Sequence, residues 1–257
     1  MLQKFQSISG EIARRYVCYF VGLYILSFGL SMIFLSGTGT SPISSWAFVM
    51  DKNTELSAGT YTFIINMVMI AGQIAIMHKH GLRGEMWNIL LQVPFSAIFG
   101  MFIDSSRYML QTGMAELGIT VLPYWGSLLM LAAGIVIQSF GVFLEIRPQV
   151  TMMSAEAFVN YSCVRWKWEF GNMKVFFDCG LVLLAVLCGI GFSVWHTTSA
   201  GSAITLQTFI DGVLDGVREG TVLSALLVGR LVTLFKYRLG ERLDTILTTD
   251  PPVPADD

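Results

Sequence analysis

Polar and apolar positions in this 257-residue chain are grouped in long blocks rather than alternating residue by residue. Six stretches are apolar over about twenty residues, the length that crosses a bilayer core as a helix. They cover residues 16–36, 57–77, 86–103, 125–146, 172–195 and 221–237. The third and sixth are the shortest and carry polar residues. Pro94 interrupts the third and is expected to kink or loosen it there. The pattern predicts an all-α integral membrane protein with six transmembrane helices.

Composition agrees. The chain is 54% hydrophobic and 13% charged, with mean hydropathy +0.63. A soluble domain carries about 25% charged residues, so too little polar surface is present to cover a water-soluble body. The net charge of −2 and the absence of a basic patch interleaved with aromatics argue against nucleic acid. The first fifteen residues are polar and basic, and the apolar run behind them is too long for a signal-peptide core, so it is expected to be a retained helix. The tail DPPVPADD, residues 250–257, is short, proline-rich and acidic, and is expected to be disordered. Cys18, Cys163, Cys179 and Cys188 have no metal-ligand spacing and are expected as small buried residues. Neither a cofactor nor a metal is implied.

Cationic residues set a direction. With the N-terminus inside, the cytoplasmic segments hold Lys4, Arg14, Arg15, Lys79, Arg83, Arg147, Arg165, Lys167, Lys236, Arg238 and Arg242. The other side holds Lys52, Arg107 and Arg218, and Lys174 and Arg230 lie within spans. This bias places both termini in the cytoplasm and argues for an even number of crossings of a bacterial cytoplasmic membrane.

The chain also matches itself. At an offset of 112 residues, Gly22, Ile25, Ser27, Phe28 and Gly29 align with Gly134, Ile137, Ser139, Phe140 and Gly141, and Gly59 aligns with Gly171. Residues 84–91, GEMWNILL, then align with residues 220–227, GTVLSALL, across an insertion expected as a loop in 193–219. Three helices per copy is an odd number, so the second copy enters from the opposite side, giving an inverted-topology repeat. The expected division is a cytoplasmic N-terminal segment 1–15, a first repeat 16–110, an extracytoplasmic connection 111–124, a second repeat 125–240 and a cytoplasmic tail 241–257. Gly22 and Gly29, like Gly134 and Gly141, share one helix face, where small residues let backbones approach closely.

After the first helix of each copy comes a turn-prone stretch and a run too short to span: SGTGTSPISSWAFVM (36–50) and RPQVTMMSAEAFVNYSC (147–163). Ser41-Pro42 and the stretch from Thr151 to Ser154 look like capped helix starts. Each segment is therefore expected as a short helix, re-entrant with its free N–H groups pointing into the protein, or amphipathic on the membrane surface. With GTGTSP after the first helix, Ala155-Glu156-Ala157 after the fourth and REGTVLSALLVGR before the last, the chain resembles the YczE/YyaS/YitT group, the YczE branch above all. The residues GEMWNILLQVPF depart from the group's Gly-Thr form in the first copy. That group comprises bacterial multi-pass membrane proteins, so the resemblance implies a fold and no chemistry.

Charges inside spans cost about 2.5–3.5 kcal/mol each on insertion scales and need a partner or a purpose. Asp178 lies about 9 Å into the fifth helix, Arg230 about 10 Å from the cytoplasmic end of the sixth, and Lys174 one turn before Asp178. A cluster of the three is expected, either as a solute or ion site completed by Glu156 or as a structural lock with Lys174 snorkelling outward. Asn66 holds the position of Asp178 in the first copy, and Ser41 faces the same interior. Asn66, Gln73, Gln92 and Gln138 are neutral polar residues within spans. Glu145 and Arg147 are expected at the interface, and Asp104 at an outer helix end. Three functions follow from this: a permease for a small solute, using Glu156, Asp178, Arg230, Ser41 and Asn66; a non-transporting scaffold or regulator of a membrane partner; and an intramembrane enzyme. His78, His80 and His196 fall in expected loops, and no HExxH or GxSxG pattern is present, which disfavours an enzyme. The expected partners are the lipid bilayer, a small solute, and a second copy or another membrane protein.

Overall fold

The computed structural model describes residues 2–77, 79–119 and 121–248. The tail 250–257 and His78 lie outside the described residues. Nine α-helices and no strand occur among the described residues: α1 (Leu2–Ser36), α2 (Ser45–Asn53), α3 (Ala58–Ile76), α4 (Lys79–Glu116), α5 (Tyr124–Ile146), α6 (Ser154–Trp166), α7 (Phe170–Ser199), α8 (Leu206–Gly216) and α9 (Glu219–Leu247). Among them, α1, α3, α4, α5 and α7 are long and apolar enough to cross a membrane. The sixth expected span is helical within α9 but is not among these five; Arg230 and Lys236 lie along it, with Arg238 just beyond.

Several elements run further than expected. α1 starts at Leu2, α4 continues unbroken through Pro94 to Glu116, and α9 takes in residues 241–247. α7 reaches Ser199, so His196 is helical. The expected loop at 193–219 is instead the end of α7 followed by α8. The reason is packing: Gly189 and Gly212 let the two backbones touch, and a Cβ on Gly212 would lie 2.6 Å from Ile190 Cα. The Ser193 hydroxyl also donates to the Thr208 carbonyl at 2.8 Å.

The central contact is between α1 and α5, which run antiparallel. A Cβ on Gly22 would lie 2.7 Å from the backbone N of Glu145, and one on Gly134 would lie 2.8 Å from Ile33 Cγ1. Gly29 meets the backbone of Gln138, and Gly141 meets Leu26. Both expected glycine faces therefore form this seam. Helices in lipid gain little from hydrophobicity alone and associate through such close van der Waals contact. Around the seam, Tyr19, Leu23, Leu26, Leu30 and Phe34 pack on Phe95, Phe99 and Ile103 of α4. On the other side, Ile33, Leu131 and Ile135 pack on Val228 and Leu231 of α9.

The two ends of the bundle are tied differently. At one end, Arg15 donates to the Pro148 carbonyl at 3.1 Å, and Arg147 Nε to Asp244 at 2.7 Å. The start of α1 and the end of α9 therefore share that end. At the other end, the Gly220 N–H donates to the Thr38 carbonyl at 2.8 Å, and Thr221 Oγ1 accepts from the Thr40 N–H. Gly37 and Gly39 turn the chain there at φ +67° and +107°, values glycine reaches without steric cost. Cys18, Cys163 and Cys188 are half-buried and Cys179 is exposed on α7, so the cysteines are not the buried residues expected. Helix rotation set by neighbouring packing placed them there.

Candidate functional site

Two short segments follow α1 and α5, as expected. The first is a 3₁₀ turn over Pro42–Ser44, entered from Ser41 with proline at its start, leading into α2. Ser41 is buried and its hydroxyl donates to Ser44 Oγ at 3.2 Å. The second is α6. It packs against α3 and α7, while α2 packs against α7 and α3. Between them Ile65, Met69 and Leu181 form a buried cluster with Trp46, Phe158 and Phe177 against it.

The start of α6 lies deep in the protein, with Ser154 fully buried. Its cap position is Met153, whose side chain accepts no capping bond, so the capping residue expected between Thr151 and Ser154 is not found. Ser154 instead turns its hydroxyl to Asn66 Oδ1 of α3 at 2.8 Å. Gln73 Nε2 donates to the Ser154 carbonyl and to Gln92 Oε1 of α4, both at 2.9 Å. Three of the neutral polar residues noted in the spans thus converge on one turn of α6. Tyr19 of α1 reaches the same turn, its hydroxyl 3.5 Å from Met153 Sδ.

This neighbourhood has unused hydrogen-bonding capacity. Asn66 Nδ2 and Gln73 Oε1 are buried without a partner. The first α6 backbone bond is from the Ala157 N–H to the Met153 carbonyl, and among the described residues the N–H groups of Ser154, Ala155 and Glu156 have no acceptor. Such orphan donors are normally capped or hydrated.

Two carboxyls stand beside it. Glu145, expected at the interface, is instead 4% exposed in the last turn of α5. Its position follows from the seam: Gly134, Gln138, Gly141 and Glu145, spaced four, three and four, form the buried stripe of α5. That spacing is the sequence signal for its burial, because the two glycines already mark the contact face. Glu156, partly buried in the first turn of α6, is close enough to Glu145 for the two to interact electrostatically, and Tyr19 feels both. Lys174 of α7 also acts electrostatically on Glu156. Among the described residues neither carboxyl makes an ion pair, and Lys174 is bonded to Asp178 at 3.0 Å.

The expected triad of Asp178, Lys174 and Arg230 does not form. Lys174 and Asp178 pair one turn apart on α7, with Lys174 also 5.6 Å from the Phe177 ring centre. Arg230 lies exposed on α9 and contacts neither. The cause is helix choice: α9 packs on α5 through its Thr221, Ser224 and Val228 side, while α8 covers the flank of α7. Asp104 also departs from expectation. It is inside α4 and caps α3, accepting from the Gly59 N–H at 2.9 Å and from the Ser57 hydroxyl at 2.6 Å. Arg147 does sit at a helix end, paired with Asp244.

Comparison with known proteins supports the family reading. Residues 13–237 match the model of a family of unknown function, DUF6198, and the chain belongs to that family. It is 26% identical over 133 residues to the uncharacterized membrane protein YczE of Bacillus subtilis, covering 51% of this chain and 55% of that protein. It is 32% identical over 90 residues to the uncharacterized protein YyaS of the same organism, covering 35% of this chain and 41% of that protein. The matched region thus spans about half the length of these relatives or less. No solved structure matches. The chain is a multi-pass membrane protein of the YczE/YyaS family.

Proposed function

We propose that this protein is a permease for a small solute, built as an inverted repeat of two three-helix units with α9 as the sixth crossing. The observation that carries this reading is the buried polar cluster at the start of α6, where Asn66 and Gln73 reach Ser154 and each keeps one amide atom without a partner. Such groups are costly there and mark solute or ion paths.

Packing supports the repeat. The contact of Gly29 with Gln138 becomes, 112 residues on, that of Gly141 with Leu26, and both occur. Ser27 and Ser139 each donate to the carbonyl four residues earlier, and Gly37 and Gln149 both have positive φ. α3 meets α6 as α7 meets α2. Short helices at such a crossing suit a re-entrant placement and alternating access.

In this reading Glu156, the carboxyl carried by the second short segment, binds the coupling proton. Asn66 belongs to this cluster, Ser41 lies at the opposing segment, and Asp178 holds Lys174 in place. The protein sits in a bacterial cytoplasmic membrane with both ends in the cytoplasm and performs no catalysis. The test uses proteoliposomes offered a mixture of small metabolites under an imposed proton gradient, with the contents read by mass spectrometry. Protein-dependent accumulation that Glu156→Gln abolishes is expected; no accumulation, or accumulation unaffected by that change, refutes the reading.

One observation favours a second reading, a non-transporting scaffold. Arg230 faces outward beside exposed Leu226, Leu227 and Leu234, which suits a membrane-protein partner or a second copy. A stoichiometric partner lost on Arg230→Leu, together with no solute accumulation, would establish it.

A further inference from the structure

Away from the polar cluster, α6 and α7 leave a cleft of about 300 Å³ between them. Its walls are Phe158, Ser162 and Trp166 of α6 and Met173, Phe177 and Leu181 of α7. Spacing by four along each helix makes it a groove parallel to both, running inward from the turn that joins them. Trp166 and Met173 stand nearest that turn. The Phe158 and Phe177 rings, with centres 5.6 Å apart, lie deeper, Phe158 about 12 Å from Trp166 at 1.5 Å per residue. Small residues open the gap. Ser162 faces it from α6, and a Cβ on Gly180, which also lines it, would meet nothing within 4 Å.

The chemistry changes along this groove. At the turn, Trp166 and Trp168 are exposed, as tryptophans are at the headgroup level of a bilayer. Next to them in sequence, Arg165 and Lys167 are exposed and make no ion pair among the described residues, while Glu169 is engaged with Asn172 at 3.5 Å. Further in, the walls are aromatic and aliphatic, and exposed Val164, Val175 and Phe176 flank them toward lipid. Free cations at headgroup level above an apolar channel complement an amphiphile with an anionic head. Helices in lipid associate through close van der Waals contact, so a gap between two of them favours an acyl chain that fills it.

We propose that this groove binds an anionic phospholipid, one acyl chain lying between α6 and α7 and the phosphate held by Arg165 and Lys167. Arginine's planar fork suits phosphate oxygens, and juxtamembrane cations are drawn to anionic headgroups. A zwitterionic lipid brings its own cation and has no net charge for the two residues to meet. Lys174 is bonded to Asp178 and is not needed for the site. None of these residues belongs to the polar cluster at the start of α6, so the lipid site stands or falls separately from transport.

The experiment is native mass spectrometry of the full chain released from detergent micelles and titrated with single lipids. The probes are dioleoyl phosphatidylglycerol, dioleoyl phosphatidylcholine with the same chains, and oleate. One phosphatidylglycerol should bind at least tenfold more tightly than phosphatidylcholine. Arg165→Gln combined with Lys167→Gln should erase that preference. Gly180→Leu, which places a side chain in the groove, should weaken phosphatidylglycerol at least tenfold; if it fails to fold, the charge variant alone decides. Lys236→Gln combined with Arg238→Gln, on the exposed side of α9, should change neither affinity. Equal affinity for the two phospholipids, a preference that survives loss of Arg165 and Lys167, or unchanged binding to folded Gly180→Leu overturns the proposal. So does an equal loss in the α9 variant, which would indicate charge attraction without a site. Oleate that displaces phosphatidylglycerol at equal concentration would mark a fatty-acid groove and overturn it as well.

Discussion

Two helices begin inside this protein, and they are finished in opposite ways. At the start of α3, the first three N–H groups all have acceptors: Ala58 donates to Asp51 at 2.9 Å, Gly59 to Asp104 at 2.9 Å and Thr60 to Ser57 Oγ at 3.1 Å. Arg107 then pairs with Asp51, while Lys52 and Asn53 hold Asp215 of α8. At the start of α6, the equivalent three N–H groups have no acceptor among the described residues. The same helix-terminus chemistry thus serves as a structural tie in one place and is left open in the other.

The comparison depends on a common frame, so breaking the frame has the largest effect. Gly29→Val drives a branched side chain into the Gln138 backbone, and there is no flexible side-chain end to give way. It should leave no monodisperse protein on size-exclusion chromatography; a normal elution profile would mean that the α1–α5 seam tolerates separation. Next comes the capped start. Asp104→Ala removes the acceptor of Gly59 and Ser57 and should cost about 2–3 kcal/mol, since bonds to charged groups are the strong ones. Denaturant unfolding in micelles measures this, and a loss below about 0.5 kcal/mol would show the cap to be incidental.

The open start should behave in the reverse manner. Glu145→Gln keeps the shape and replaces a buried carboxyl that makes no ion pair among the described residues with a neutral amide, so the unfolding temperature should stay at or slightly above that of the wild type. Functional groups commonly lower stability in this way. A clear drop in unfolding temperature would show that Glu145 makes a structural bond, and the contrast with Asp104 would disappear. Both substitutions remove a carboxyl next to a helix start in one fold, so opposite signs of their effects sharpen the contrast more than either alone.

Much of this was legible in advance. The helical segments over 57–77 and 125–146 agree with α3 and α5 to within a residue, because block length and end signals are local properties. The glycine seam was legible too, since spacing by seven places small residues on one face whatever the neighbours are. The stripe Gly134, Gln138, Gly141 and Glu145 even held the burial of Glu145 in its spacing, although its place near a helix end pointed to the interface. The pairing of Asp178 with Arg230 was not legible. Equal depth does not make two helices neighbours, and α8 took the side of α7 that the pairing needed.

The amino-acid sequence by itself determined which segments are helical and apolar, which faces carry small residues and where cationic residues gather. Each of these follows from the chain's own contact with water or lipid, one segment at a time. The tertiary structure alone decided that Asp104 caps another helix, that Arg230 faces outward and that Glu145 is buried. Lipid and protein interior are almost equally apolar, so hydropathy does not distinguish a side chain turned to one from a side chain turned to the other. That choice belongs to the packing of helix on helix, where the polar groups of this protein acquire their partners or are left without them.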